Sequence, residues 1–433
     1  MRFTAAMKVT SIRRLLALRW TGQMTDGIFQ SALASFVLFS PERQPDAKSA
    51  AAAFAVVLLP YSLVGPLVGT ILDRFSRQRI ILFANLFRAL TLIFVSGLVK
   101  SGATGVELTI FVLLAFGVNR LILAGLSAGL PLLLDTTGPE GRTTLVSVNA
   151  TAVTGGTVFV VIGGGIGIGI RNLLDGRLRA DQADALIINI ASFAFFIAAL
   201  LALRLKKASL GPLPSEVRRE SIVEAYREMV AAFKLLRKIK DCFLGISATA
   251  IQRSGLTALT LMALLLNRNT FNDPVDPESG LSGFAFAITV AGIGITLGAI
   301  LAPFGVARYG RHRWIRISLF ASAILPVALA FNQNEFFLVA TGFFAGMAGQ
   351  GVKVTNDALV QSKIADQYRG RVFAVYDVVV NGGIVSGAVI AALVLPPDGV
   401  SSILPALIAL SYILFAALKL RPKFFNSDFS TTN

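Results

Sequence analysis

The sequence predicts an all-α membrane protein of twelve transmembrane helices, arranged as two six-helix halves that repeat one another, with both termini cytoplasmic. Three observations predict it. Apolar residues fall in runs of span length. The charge bias of the loops alternates along the chain. A short basic motif recurs a little over half the chain later.

Of the 433 residues, 55% are hydrophobic and 15% charged, and the mean hydropathy is +0.71. A soluble domain carries about 25% charged residues. The chain has room for about twelve spans of roughly 20 residues each. The net charge of +16 sits between apolar runs, so the expected partners are membrane lipids with anionic headgroups and not nucleic acid. Cys242 is the only cysteine and His312 the only histidine, which excludes an intrachain disulfide and a Cys/His metal cluster. Arg2, Lys8, Arg13, Arg14 and Arg19 precede and enter the first apolar run without a small-residue cleavage site, so that run reads as a retained helix.

Taken in order, the first span covers residues 16–39, and the loop 40–49 carries Glu42, Arg43, Asp46 and Lys48, which cancel. The second and third spans, 52–72 and 80–99, are joined by a charged elbow containing Gly69, Asp73, Arg74, Arg77 and Arg79. Its positive charge puts it on the cytoplasmic side. The fourth span is 108–134, followed by a polar turn at 136–144. The fifth, 146–170, is glycine-rich, and the sixth ends at Leu203 after a nearly neutral loop. The halves are residues 1–204 and 241–433, joined by a cytoplasmic linker, 205–240. Gly211, Pro212 and Pro214 break any helix early in the linker. From Glu216 on, Ile222, Tyr226, Met229, Val230, Phe233 and Leu236 share one face at helical spacing. That pattern describes an amphipathic helix, either lying on the inner membrane surface or solvated.

In the second half, spans fall at 243–266, 281–307, 315–331, 336–364, 372–395 and 403–420. The loop 267–280 is acidic, with Asp273, Asp276 and Glu278. The loop 308–316 holds Arg308, Arg311, Arg313 and Arg316 and no acid. Arg74-Phe75-Ser76-Arg77-Gln78-Arg79 recurs as Arg308-Tyr309-Gly310-Arg311-His312-Arg313, and Gly141-Arg142 as Gly370-Arg371. Two similar halves in one membrane orientation make a parallel repeat.

Charges within spans are expensive and need a reason. Asp26 lies in span one, Arg120 in span four and Arg253 in span seven. Lys353 and Asp357 lie one helical turn apart in span ten. With no intramembrane histidine, proton coupling would require a carboxylate. Asp26 is the first candidate, because burial favours a neutral carboxyl. Asp357 is second, since Lys353 at i−4 can hold it ionised. The alternative for Asp26 is a static pair with Arg120 that holds helices together. Three cations against two acids leave one excess positive charge within the spans unless backbone carbonyls neutralise it. Gly155, Gly156, Gly163, Gly164, Gly165, Gly167 and Gly169 read as helix-packing positions. No Lys-Ser/Thr follows to make them a phosphate loop.

The elbow, glycine and then Asp-Arg and a basic cluster, resembles the loop between the second and third helices of the major facilitator superfamily. The whole chain resembles such a transporter. Within the superfamily it is similar to the bacterial drug-antiporter branch of macrolide-efflux and siderophore-export type. The residues that carry this are Asp26-Gly27, Asn85-Leu86-Phe87-Arg88-Ala89, Ser147-Val148-Asn149-Ala150, Ser192-Phe193 and Tyr368-Arg369-Gly370-Arg371-Val372-Phe373. The pattern departs at Ser76, where the family has glycine, and at Gly163 to Gly165, which lack the usual nearby proline.

The resemblance implies the major facilitator fold, with helices one, four, seven and ten around a central cavity. Asp26, Arg120, Arg253, Lys353 and Asp357 then become cavity or coupling residues. It also implies a cytoplasmic gate of Gly69, Asp73, Arg74, Arg77, Arg88, Arg371 and Asp377, with Asp73 at the N-terminus of span eleven. The implied function is alternating-access secondary transport in the plasma (inner) membrane by a monomer. Its leading form is proton-coupled efflux of a small amphipathic molecule. No cofactor is expected, and without a nucleotide-binding motif neither is direct use of ATP. No Ser-His, metal or paired-carboxylate constellation suggests an enzyme. The competing readings are an uptake carrier for an anionic or zwitterionic metabolite, a lipid flippase, and a receptor or scaffold, against which the mid-span charges count.

Overall fold

The structure, a computed structural model, describes residues 6–38, 71–72, 74–134, 138–206, 209–211, 222–273, 277–364 and 366–421. Most of the expected second span, the loop before it, Gly69, Asp73, Pro212 and Pro214 lie outside the described residues.

Regular structure among the described residues is helical throughout. Helix α1 (Thr10–Leu33) runs on into a π-helical turn, Ala34–Leu38. Then come α2 (Arg77–Lys100), α3 (Val106–Gly129), α4 (Gly138–Leu174) and α5 (Ala180–Leu203). Helix α6 (Ile222–Lys238) occupies the expected linker. The later helices are α7 (Lys240–Asn269), α8 (Pro277–Tyr309), α9 (Arg311–Phe331), α10 (Glu335–Lys363), α11 (Asp366–Val394) and α12 (Ile403–Leu418). Pro131 turns the end of α3 into a 3-10 turn, Leu130–Leu133. Gly310 separates α8 from α9 with φ 77°, a left-handed conformation that glycine adopts without steric cost. The Asn334 side chain caps α10 by accepting from the Phe337 amide at 2.9 Å.

Nine of the described helices are long and apolar enough to cross a membrane: α2 to α5 and α7 to α11, in whole or in part. Helix α12 is apolar but shorter. Helix α1 is diluted by Arg13, Arg14, Arg19, Gln23 and Asp26, the last of them buried against its neighbours. Bulky apolar side chains point outward on the long helices, among them Phe83, Leu90, Phe193, Phe304 and Leu393. Such an apolar exterior suits lipid as the solvent.

The described residues up to Ala225 form one compact unit and those from Tyr226 on a second. In the first, α1 packs on α4 and α5, and α2 on α3 and α5. Its core includes Ile12, Leu15, Leu16 and Leu18 of α1 with Ile81, Leu126, Ala152, Ala198 and Ala202. In the second, α7 packs on α10 and α11, α8 on α10, and α9 on α10 and α12. By span order, α1 with α4 corresponds to α7 with α11, and α2 with α5 to α9 with α12. The two units thus repeat one packing plan.

Glycine makes the tightest of these contacts possible. A Cβ on Gly163 would run into the Met24 carbonyl of α1, and one on Gly387 of α11 into the Ser254 carbonyl of α7. Between helices in lipid, such close backbone approach supplies the van der Waals contact that drives association.

Candidate functional site

Four helices of the first unit converge on one guanidinium. Arg88 of α2 is fully buried and forms an ion pair with Asp26 of α1, itself 2% exposed. Its Nη1 donates to Asn119 Oδ1 on α3 at 3.2 Å, and Asn119 also bonds the Asp26 carboxylate. The Arg88 guanidinium lies over the Phe195 ring of α5, 3.8 Å from its centroid. A desolvated cation over a ring face is worth about 2 kcal/mol. The sequence suggested Arg120 as the static partner of Asp26, but Arg88 holds that place. Arg120 is half-buried on α3.

Below this triad α1 carries a second buried cation. Arg19 donates to Gln23 Oε1 at 3.3 Å and to Ser127 Oγ of α3 at 3.1 Å. Next to it, Trp20 stacks on Phe159 of α4 with centroids 5.4 Å apart.

A polar patch runs through the second unit. Arg253 of α7 donates to Gln350 Oε1 of α10 at 2.9 Å and faces Asp357, Tyr376 and Tyr412. Lys353 Nζ pairs with Asp357 Oδ2 at 2.7 Å, one turn away. These side chains are 39% and 27% exposed, so the pair is accessible where the Asp26 pair is not. Asp357 Oδ1 is buried without a hydrogen bond, as are both amide atoms of Asn356 and the Tyr376 hydroxyl. Thr249, Asn356 and Asp357 surround that hydroxyl. Tyr412 donates to the Gln252 carbonyl at 2.8 Å. The structure thus brings the three expected residues Arg253, Lys353 and Asp357 together. It adds Gln350, Asn356 and Tyr376, which as neutral residues in apolar spans carried no signal of their own.

The gate residues are scattered. Arg74 is exposed with its guanidinium 5.6 Å from the Phe75 centroid. Arg77 is buried and bonds carbonyls: Leu72 at 3.4 Å, Ala128 at 3.0 Å and Leu210 at 3.2 Å. Its amide donates to Gly211 at 3.1 Å. Arg77 therefore ties the elbow to the end of α3 and to the chain that leaves α5. Arg371 of α11 pairs with Glu228 of α6 at 2.7 Å, and Asp377 is half-buried on α11. Arg88, grouped with the gate on resemblance, belongs to the buried triad. Another cluster went unnoticed in the sequence: Asp241 at the start of α7 pairs with Lys363 of α10 and lies 3.4 Å from His312 Nε2 of α9. Its three members sit at helix ends far apart in the chain. No group of three or more metal-ligating side chains occurs among the described residues.

Comparison with known proteins sets these clusters in a family. The sequence profile described as Major Facilitator Superfamily matches residues 243–431. Uncharacterized MFS-type transporters of Mycobacterium bovis and Mycobacterium tuberculosis are each 31% identical over 388 residues, covering 89% of this chain and 85% of theirs. Among solved structures, the nucleoside transporter NupG superposes with a TM-score of 0.69 at 14% identity, over 97% of this chain and 100% of that one. A variant of the E. coli fucose:proton symporter FucP superposes with a TM-score of 0.59 at 15% identity, over 94% and 98%.

Proposed function

The chain belongs to the major facilitator superfamily, and from that premise we propose that it is a proton-coupled exporter of a small amphipathic compound. It works by alternating access in the plasma membrane, as a member of the drug-antiporter branch. The halves are residues 1–204 and 241–433, both termini are cytoplasmic, and Asp26 is the carboxylate that exchanges the proton.

The observation that carries this reading is the buried triad of Asp26, Arg88 and Asn119. A charge pair sealed in an apolar unit is costly. Protonating Asp26 removes its charge and leaves Arg88, on a different helix, without a counter-ion. Proton binding is thereby linked to the ion pair that bridges α1 and α2, which is the differential interaction that a conformational equilibrium needs.

The test is flux in liposomes, with internal pH followed while amphipathic compounds are presented to wild type and to Asp26→Asn. Substrate-dependent proton movement, abolished in Asp26→Asn while substrate exchange at equal pH persists, supports the mechanism. Substrate movement without proton flux, unchanged in the variant, sinks it.

A second reading, uptake of an anionic or zwitterionic metabolite, draws on the polar patch of the second unit. Arg253 and Lys353 against Asp357 leave one positive charge there. Under this reading Arg253→Gln raises KM for anionic compounds about tenfold and leaves cationic compounds within twofold. About 1.4 kcal/mol, the worth of one charge-assisted hydrogen bond, is tenfold in affinity. Equal effects on both classes would remove the patch from substrate recognition.

A further inference from the structure

At one end of the first unit, the start of α1 and the end of α5 border an open pocket of about 230 Å³. It is lined by Thr10, Arg13, Arg14, Ala17, Leu201 and Arg204. Three of the six are arginines and none is acidic. The imbalance extends beyond the pocket, because the sequence has no Asp or Glu before Asp26 and none between Asp184 and Glu216. Lys8 and Lys206 stand exposed nearby in the chain and add to the field. All three arginines of the pocket are exposed, so they reach water without a desolvation cost.

The pocket is built and not simply a stretch of basic surface. Arg14 Nη1 donates to the Arg204 carbonyl at 2.7 Å, across 190 residues of chain. That bond fixes the α1 start to the α5 end and uses one of the five donors of Arg14. The floor is apolar, from Ala17 and Leu201, and the rim is cationic. The end of a membrane-embedded unit that offers a cationic rim above an apolar floor matches a lipid, whose phosphate sits at the interface and whose chain continues into the hydrocarbon.

We propose that this pocket binds the phosphodiester headgroup of an anionic glycerophospholipid, with Arg13, Arg14 and Arg204 on the phosphate and Ala17 and Leu201 against the acyl chain. Phosphate chemistry alone would also admit inorganic phosphate. The apolar floor assigns the site to lipid, because a free anion leaves it uncovered. Occupancy would brace α1, the helix that carries Asp26, against α5.

The experiment uses the purified full-length chain in nanodiscs of phosphatidylethanolamine and phosphatidylglycerol at 3:1, followed by native mass spectrometry of retained lipid. The triple variant Arg13→Gln/Arg14→Gln/Arg204→Gln is compared with Lys100→Gln/Arg177→Gln/Arg421→Gln, which removes the same charge from exposed positions elsewhere. About fivefold is expected per arginine near an anionic surface, so the first variant should lose tightly held phosphatidylglycerol by about a hundredfold and the second by less than threefold. If the triple variant does not fold, Arg13→Gln and Arg204→Gln are read singly, each with a several-fold loss expected. Equal retention by both triple variants, or by the single variants and wild type, overturns the proposal. So does displacement of the lipid by millimolar inorganic phosphate, which would make this a free-anion site. Retention of phosphatidylethanolamine in place of phosphatidylglycerol overturns it as well.

Discussion

Asp26 and Arg88 are each other's main electrostatic support, and their burial makes that support one-sided to remove. Arg88→Met leaves a carboxylate in an apolar unit with only Asn119 beside it. Breaking a buried pair in this way costs about 3–5 kcal/mol. Asp26→Asn strands the guanidinium, but Arg88 keeps Asn119 and the Phe195 ring, and the smaller loss is expected there. Thermal unfolding of the purified variants checks the order: Arg88→Met well below Asp26→Asn, and both below wild type. The reverse order would mean that Asp26 is held mainly by something other than Arg88. Asp26 was legible in the sequence because a charge in a span demands an explanation. Its partner was not, because Arg88 is 62 residues away on a helix whose adjacency to α1 no local pattern encodes. The same limit hid Tyr376 and Asn356, which are neutral and become interesting only once α7, α10 and α11 are seen to meet.

Helices were far easier to read than their contacts. The expected third span, 80–99, is α2 at Arg77–Lys100, and the sixth ends with α5 at Leu203. Helix α4 starts earlier than expected, at Gly138, because the polar turn predicted at 136–144 continues as helix from there. The glycine run of α4 was legible as a packing surface, but not which glycines are pressed. That depends on the rotation of α4 about its axis. Gly163 abuts the Met24 backbone, whereas Gly165, two residues on and nearly opposite on the helix, would have nothing within 4 Å of an added Cβ. Gly163→Val must therefore push α4 off α1, with the cost of overpacking, about 1–3 kcal/mol or more. Gly165→Val meets open space and should fold as wild type does. Folded yield and melting temperature of the two variants separate these outcomes. Equal loss from both would mean that the run serves helix flexibility and not a single packed face.

Comparing the two units locates a charge asymmetry between them. Gly163 of α4 lies on the Met24 carbonyl of α1 and Gly167 against the Ser31 hydroxyl and the Ile28 carbonyl, and Gly383 and Gly387 of α11 lie on the Ala250 and Ser254 carbonyls of α7. This register aligns Asp26 with Gln252. The recurrence of Arg74 as Arg308 likewise aligns Arg88 with Ser322 of α9. Gln252 and Ser322 are both fully or nearly fully buried, and Gln252 spends its amide on the Ala345 carbonyl at 3.0 Å. One packing plan is thus built twice, once around an ion pair and once around neutral groups, so the plan itself does not require the charges. It follows that Asp26→Asn/Arg88→Met, which makes the first unit neutral while filling the volume, should fold with a melting temperature closer to wild type than Arg88→Met alone. Replacing a buried pair by groups of similar volume is often neutral or stabilising. If the pair serves coupling, proteoliposomes of this double variant will exchange substrate at equal pH but will not move it uphill along a proton gradient. Uphill transport at the wild-type level would assign the pair a purely structural role. A double variant as unstable as Arg88→Met would instead mean that the two units do not share the register that the glycine contacts define.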